Sequence, residues 1–255
     1  MQTEYTPDML VELVKCSEDP VYFINNYCFL NDPILGKIPF KLYDFQEAAV
    51  KALHENRLTL LMQGRQTGKT CVLAAYAYWF SIFNYDKYTL LGSLTNAVAA
   101  GYLNRARFIH ENVPDWMKPK LKYNNKQAME FDNGSIIRSV AMTECMGRGM
   151  TCSLILLDEF AYVSKRIQDE LWNSLYPMIA CTHAKFVISS TPNWNENGKI
   201  FEELWKDAID GKNAFHPIMS TGNSMPGRDQ VWKEKMVSLM GEANFRQEYQ
   251  CEFLS

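Results

Sequence analysis

Short apolar runs, each followed by a longer stretch of helical spacing, fill the middle of the chain. RLTLLMQ at 57–63 predicts a buried strand, and the apolar stretch after it predicts a helix over about 68–83. YTLLGS at 88–93 predicts a second core strand, with a helix from 96 to about 111. AMEFDNGSIIRSVA at 128–141 alternates like a hairpin, with Asn133-Gly134 at its turn. SLILLDEF at 153–160 predicts a third core strand, a helix follows over about 165–175, and KFVISSTPN at 185–193 predicts a fourth strand stopped by Pro192. Continuous apolar strands alternating with helices imply an α/β domain with a mainly parallel sheet. The ends differ. Residues 6–27 and 229–250 have helical pattern without core strands, and GNSMPGRD at 222–229 reads as a linker. The expected division is a core at 28–221 and a small helical lobe built from 1–27 and 222–255 packed together.

Composition changes this picture little. Hydrophobic residues make up 47% of the 255 and charged residues 22%, as in an ordinary globular protein. A net charge of -3 gives no sign of a surface that binds nucleic acid everywhere, although a local basic patch is compatible with it. The seven cysteines are scattered with no C-x-x-C, and no histidine stands near one at a zinc-like spacing, so free thiols in a reducing compartment are expected. The longest apolar run, 71–80, is far short of the roughly 20 residues of a membrane span.

The chemistry begins at MQGRQTGKT, 62–70. It ends like a phosphate-binding loop but opens differently, because the pattern G-x-x-x-x-G-K-[ST] puts its first glycine where Gln63 stands. The context is right, since a strand precedes it and a helix follows, and a helix N-terminus presents N–H groups to an anion. Gly64 can make the first bend one residue late, Arg65 can reach a terminal phosphate from within the loop, and Gln66 and Thr67 complete the turn. Gly68 allows close backbone approach, Lys69 meets the phosphates and Thr70 a magnesium ion. A chance GKT in a surface turn is the plain alternative.

Asp158 and Glu159 end a buried strand, where open α/β sheets bind ligands. Asp158 can hold magnesium and Glu159 can orient and deprotonate an attacking water. Ser190, Thr191 and Asn193 end the fourth strand and can sense the terminal phosphate. Upstream, Gln46 can read an adenine edge while Phe45 packs on the base, or the pair can be an ordinary amphipathic helix start. Arg148, between glycines in MGRGM and ten residues ahead of Asp158, can complete a neighbouring subunit's site, or be a plain surface arginine.

The series F-Q, GRQTGKT, GRGM, LILLDE and ISSTPN resembles the ATPase domain of the large terminase subunit, the DNA-packaging motor of tailed bacteriophages. The motifs span about 40–195, and FRQEYQCEF at 245–253 resembles the segment that closes the ATPase half. The resemblance implies a P-loop NTPase of the RecA-like (ASCE) type, with ATP and Mg2+ as nucleotide and metal. It implies Gln46 at adenine, Arg65 and Lys69 at phosphates, Thr70 and Asp158 at magnesium, Glu159 at the attacking water, Ser190 and Thr191 in coupling, and Arg148 acting in trans. It further implies double-stranded viral DNA, a portal protein and a small terminase subunit as partners. A homo-oligomeric ring on the portal, monomeric in isolation, working in the host cell cytoplasm with no membrane contact, completes the picture. Family members continue into a nuclease domain, and this chain ends where that domain is expected to begin, so DNA cutting is not expected of it. A DEAD-box-like helicase lobe also fits Phe45-Gln46, GKT and Asp158-Glu159, but needs a second lobe. A nucleotide switch that does not hydrolyse has no use for Glu159.

Overall fold

The computed structural model describes residues 5–254. Helices α1 (Pro7–Glu18) and α2 (Pro20–Tyr27) each start on a proline whose missing N–H costs nothing there, capped by the side chains of Thr6 and Asp19. A hairpin of β1 (Phe29–Asp32) and β2 (Gly36–Pro39) follows, then α3 (Asp44–Glu55). The alternating middle consists of β3 (Leu58–Gln63), α4 (Lys69–Ile82), β4 (Tyr88–Ser93), α5 (Asn96–Asn112), β5 (Leu121–Asn124), β6 (Ala128–Phe131) and β7 (Ile136–Ala141). Then come β8 (Leu154–Asp158), α6 (Lys165–Thr182), β9 (Lys185–Ser190), α7 (Lys199–Ile209) and β10 (His216–Ser220). Helices α8 (Gln230–Met240) and α9 (Glu242–Gln250) complete the described chain.

Eight strands form one sheet in the order β10-β3-β9-β8-β4-β7-β6-β5, parallel from β10 to β7 and antiparallel beyond. The four expected core strands are its centre. Their side chains alternate between two apolar layers. Leu61, Leu91, Leu156 and Val187 face α4 and its neighbours, while Leu60, Met62, Leu90, Ile155, Leu157 and Ile188 face Leu171 and Leu175 of α6 and Phe201 of α7. Burial on both faces is what continuous apolar strands require. Because the parallel strands share one direction, the ends of β3, β8 and β9 open on the same edge, with β9 between the other two.

The structure corrects four expectations. The second arm of the 128–141 hairpin, β7, is a full member of the parallel sheet through β4. Helix α6 continues to Thr182 through Pro177, because Ile179 on its next turn is buried in the apolar layer although the proline removes one hydrogen bond. The stretch 222–229 is no slack linker, since a 3-10 turn at Gly222–Ser224 packs against Gly64 and Tyr249. The chain ends also do not form one lobe. Phe23 and Ile24 of α2 and Cys16 of α1 are buried in the same core as Tyr78 and Trp79 of α4, and the Trp79 indole donates to the Cys16 carbonyl at 2.7 Å. At the other end Trp232, Phe245 and Tyr249 form an aromatic cluster beside the phosphate-loop strand, Phe245 stacked on Tyr249 and Trp232 edge-on to Tyr249. Residues 1–4 and 255 of the expected lobe lie outside the described residues.

If α2 is part of the main core, Phe23→Ala should lower unfolding free energy by about 3–5 kcal/mol in a denaturant titration, since its fully buried ring contacts Tyr27, Tyr78 and Phe83. A loss below about 1 kcal/mol would mark these helices as peripheral.

Candidate nucleotide-binding site

Between β3 and α4, residues 64–68 form a loop whose carbonyls are held from outside. Arg228 donates to the carbonyls of Arg65 at 3.2 Å and Gln66 at 2.9 Å, and the Gln46 amide donates to that of Thr67 at 2.8 Å. The Thr67 hydroxyl donates to the Gly64 carbonyl at 2.8 Å. The first two N–H groups are also taken, Gly64 by Ser220 O and Arg65 by Glu248 O. The next five, from Gln66 to Thr70, find no acceptor among the described residues. Consecutive unpaired N–H groups at the head of a helix make a concave anion site.

The glycines serve different ends. Gly68 sits at φ +79°, where a side chain is strained, and a Cβ there would stand 2.7 Å from the Gln46 amide nitrogen. Gly64 is not left-handed, and the loop's positive-φ positions are Gln66 at φ 56° and Gly68. Gly64 is instead required by packing, since a Cβ would come within 2.5 Å of Gly222 N.

Opposite the loop, Glu159 adopts φ 59° just past β8 and brings its carboxylate to 3.1 Å from Lys69 Nζ. Asp158 lies 3.6 Å from the same nitrogen, accepts from the Thr70 hydroxyl at 2.8 Å and from Ser189 at 3.2 Å. Burial works to lower the Lys69 pKa, but the facing charges of Glu159 and Asp158 outweigh it and the net shift is upward, so the ammonium stays charged. Glu159 Oε2 is buried and accepts no hydrogen bond among the described residues. A threonine hydroxyl and one carboxylate, with no larger cluster of metal ligands among the described residues, suit a hard ion such as magnesium, which keeps most of its shell as water and phosphate oxygen.

The end of β9 is tied to the turn after Glu159. Ser190 accepts from Ala161 N at 3.1 Å, Asn193 donates to Ala161 O at 2.9 Å, and Thr191 donates to the Tyr162 hydroxyl at 3.0 Å. Thr191 and Glu159 line the loop's cavity of about 200 Å³.

Not every expected residue joins this cluster. Arg65 lines the loop cavity, but its side chain is 63% exposed and its guanidinium lies against Glu248 at 3.4 Å. Gln46 is buried and committed to the protein, its oxygen capping α3 at Tyr43 N and its nitrogen bracing the loop. Phe45 stacks on Tyr43, and neither it nor Gln46 lines the loop cavity. Arg148 stands on an exposed turn, 3.6 Å from Glu170 of α6, also away from that cavity. Sequence reasoning missed Arg105 of α5, which lines the cavity and also an adjoining groove of about 620 Å³ between α5 and the β1–β2 hairpin, shared through Cys71. It also missed Arg228 and Glu248, which meet the loop from more than 160 residues away.

Known structures share this architecture. The ATPase domain of the large terminase of Thermus phage P74-26 superposes with a TM-score of 0.65 at 18% identity, over 84% of this chain and 95% of that domain. The large terminase of bacteriophage HK97 gives a TM-score of 0.75 at 16% identity, over 93% of this chain and 55% of that one. The large terminase of a thermophilic bacteriophage in complex with ADP gives 0.62 at 12%, over 83% and 53%. This chain therefore spans about half the length of the latter two. At such identities the likeness speaks for the fold alone, a mainly parallel sheet flanked by helices. The model of the terminase large subunit family, T4likevirus type, N-terminal part, matches residues 60–255, and the chain belongs to that family.

Proposed function

We propose that this chain binds and hydrolyses ATP to drive double-stranded viral DNA into a procapsid. The observation that carries this is the row of free N–H groups at 66–70 facing Lys69, Thr70, Asp158 and Glu159 at one edge of the sheet. Family membership favours it over the helicase alternative.

In this reading the triphosphate lies on the N–H row, and Lys69 turns from the two carboxylates to the β- and γ-phosphates. Thr70 and Asp158 would hold a magnesium ion, which would supply neutralisation of phosphate charge when bound. Glu159, released from Lys69, orients a water and takes its proton as the water oxygen bonds to the γ-phosphorus. The bond to the bridging oxygen breaks, leaving ADP and phosphate. Arg65 can swing from Glu248 to the terminal phosphate. The base extends into the groove beside β1–β2, where Phe29, Leu30, Ile38 and Phe108 offer apolar surface and Arg105 stands at the junction with the phosphates. Gln46 acts by holding the loop. Ser190, Thr191 and Asn193 pass phosphate loss through the 160–162 turn.

Arg148 is exposed and, among the described residues, its side chain pairs only with the surface carboxylate of Glu170, so it is available to a neighbouring subunit in a ring on the portal. The DNA, the portal protein and the small terminase subunit are the proposed partners, and the host cytoplasm the proposed place of work. No helix among the described residues is long and apolar enough to cross a membrane.

Lys69→Ala should abolish phosphate release, whereas Glu159→Gln should keep ATP affinity and lower turnover by about 10²–10⁴, the usual scale for a lost general base. Equal loss of binding and rate in Glu159→Gln would remove it from the chemistry. Arg105→Ala should weaken ATP and ADP alike by about tenfold in a titration, the scale of one lost charge-assisted contact, and unchanged affinities would place the nucleotide elsewhere. Arg148→Ala mixed with Glu159→Gln should regain activity under conditions where subunits associate, because a trans arginine is worth roughly 10³–10⁵ in rate. A mixture that stays inactive where wild type works would confine Arg148 to its own subunit.

A further inference from the structure

The last helix reaches both halves of the site through one side chain. Glu248 on α9 is buried, and its backbone carbonyl accepts the Arg65 N–H at 2.7 Å. Its Oε1 lies 3.1 Å from the Tyr162 hydroxyl, and that hydroxyl accepts from Thr191 at 3.0 Å. Burial pushes the Tyr162 phenol up to about 12 against the pull of the Thr191 hydrogen bond, with Glu248 adding to the rise, so it remains a donor at neutral pH. Next to it, Gln247 accepts the backbone N–H of Trp194 at 3.1 Å. Helix α9 is thus bonded to the phosphate loop, to the turn beyond Glu159 and to the segment that follows β9.

The contact with Arg65 is loose. Glu248 Oε2 is 3.4 Å from the guanidinium but receives no hydrogen bond among the described residues. The guanidinium is mostly in water, while the carboxylate side chain is 11% exposed. An exposed cation held by charge alone is readily drawn to a denser anion nearby, and the terminal phosphate of a nucleoside triphosphate is such an anion.

We propose that Glu248 is a positioning residue that holds Arg65 off the terminal phosphate position until a nucleoside triphosphate arrives, and that relays the exchange through Tyr162 to Thr191. The single Tyr162 hydroxyl proton is shared between Glu248 Oε1 at 3.1 Å and the Pro192 carbonyl at 3.2 Å, so when Arg65 leaves, the uncompensated carboxylate draws that proton away from Pro192, the neighbour of Thr191. The phosphate state of the loop is thereby felt at the end of β9 and along α9. This inference rests on the nucleotide reading above.

The test measures binding of ATP-γ-S and of ADP, each with magnesium, to the whole chain. Glu248→Gln keeps shape and the acceptor for Tyr162 but removes the charge that detains Arg65. It should tighten ATP-γ-S by about two- to fivefold, the scale of a partly exposed ion pair, and leave ADP unchanged. The effect should vanish in an Arg65→Ala background. An equal shift for both nucleotides, no shift, or a shift that survives in Arg65→Ala overturns the proposal. Glu248→Asp, which keeps the charge at shorter reach, should move the ratio in the same direction by less, and serves if Glu248→Gln fails to fold. Tyr162→Phe should leave the ratio as in wild type and lower turnover, and unchanged turnover overturns the relay. If wild type binds neither nucleotide, the nucleotide reading fails. If it binds both and the ratio never moves, only the role of Glu248 fails.

Discussion

The constraint on which the structure depends is that five successive backbone N–H groups, 66–70, must stay unpaired and face inward. A loop of backbone amides left to itself satisfies its own groups or collapses onto water, so the free N–H row exists only because the carbonyls are engaged elsewhere. Arg228 and Gln46 supply those partners, and Ser220 and Glu248 take the N–H groups just upstream. The loop is therefore a product of long-range contacts as much as of its glycines. This accounts for the altered opening, because Gly64 answers to the close approach of Gly222 rather than to a left-handed bend.

The sheet order makes the second contribution. With β9 between β3 and β8, the loop after β3 and the acids after β8 are separated by one intervening strand, about 10 Å across two strand spacings. Long side chains close that gap. Lys69 crosses from the head of α4 to Asp158 and Glu159, and Thr70 meets Asp158 directly. A buried lysine in this position needs an opposing charge, and the carboxylates supply it before a phosphate does. The site is thus held in a charge-compensated form that a triphosphate can take over by exchange, without leaving an isolated ion in the core.

Much of this was legible in the chain because the informative signals are local. The four central strands are continuous apolar runs, the GKT sits between a strand and a helix, and the two acids end LILL. What escaped is non-local or half-buried. β10 carries Pro217 and exposed positions, which an edge strand tolerates and a core pattern does not suggest. β1 and β2 are four residues each and partly exposed, with too little alternation to stand out. Gln46 is expected from sequence at an adenine edge, and nothing near it in sequence names Thr67 O as the acceptor its amide finds. Arg228 looked like linker punctuation because its three acceptors lie at 65, 66 and 222.

The bracing also decides where the ATPase unit can be divided. Ser220 O, the Gly222 turn, Arg228 and Glu248 all touch residues 64–66 directly. Arg228 is itself held, its guanidinium lying over the Trp232 ring at 4.9 Å and the Tyr249 ring at 5.4 Å. The aromatic cluster of α8 and α9 consequently supports the loop through Arg228. A boundary drawn between the strands and the C-terminal helices would strip the loop of its carbonyl partners while leaving every residue of GRQTGKT in place. The phosphate loop and α9 form one mechanical unit, because the Glu248 carbonyl holds the Arg65 N–H while Cys251, at the end of the helix, meets Ser220 of β10.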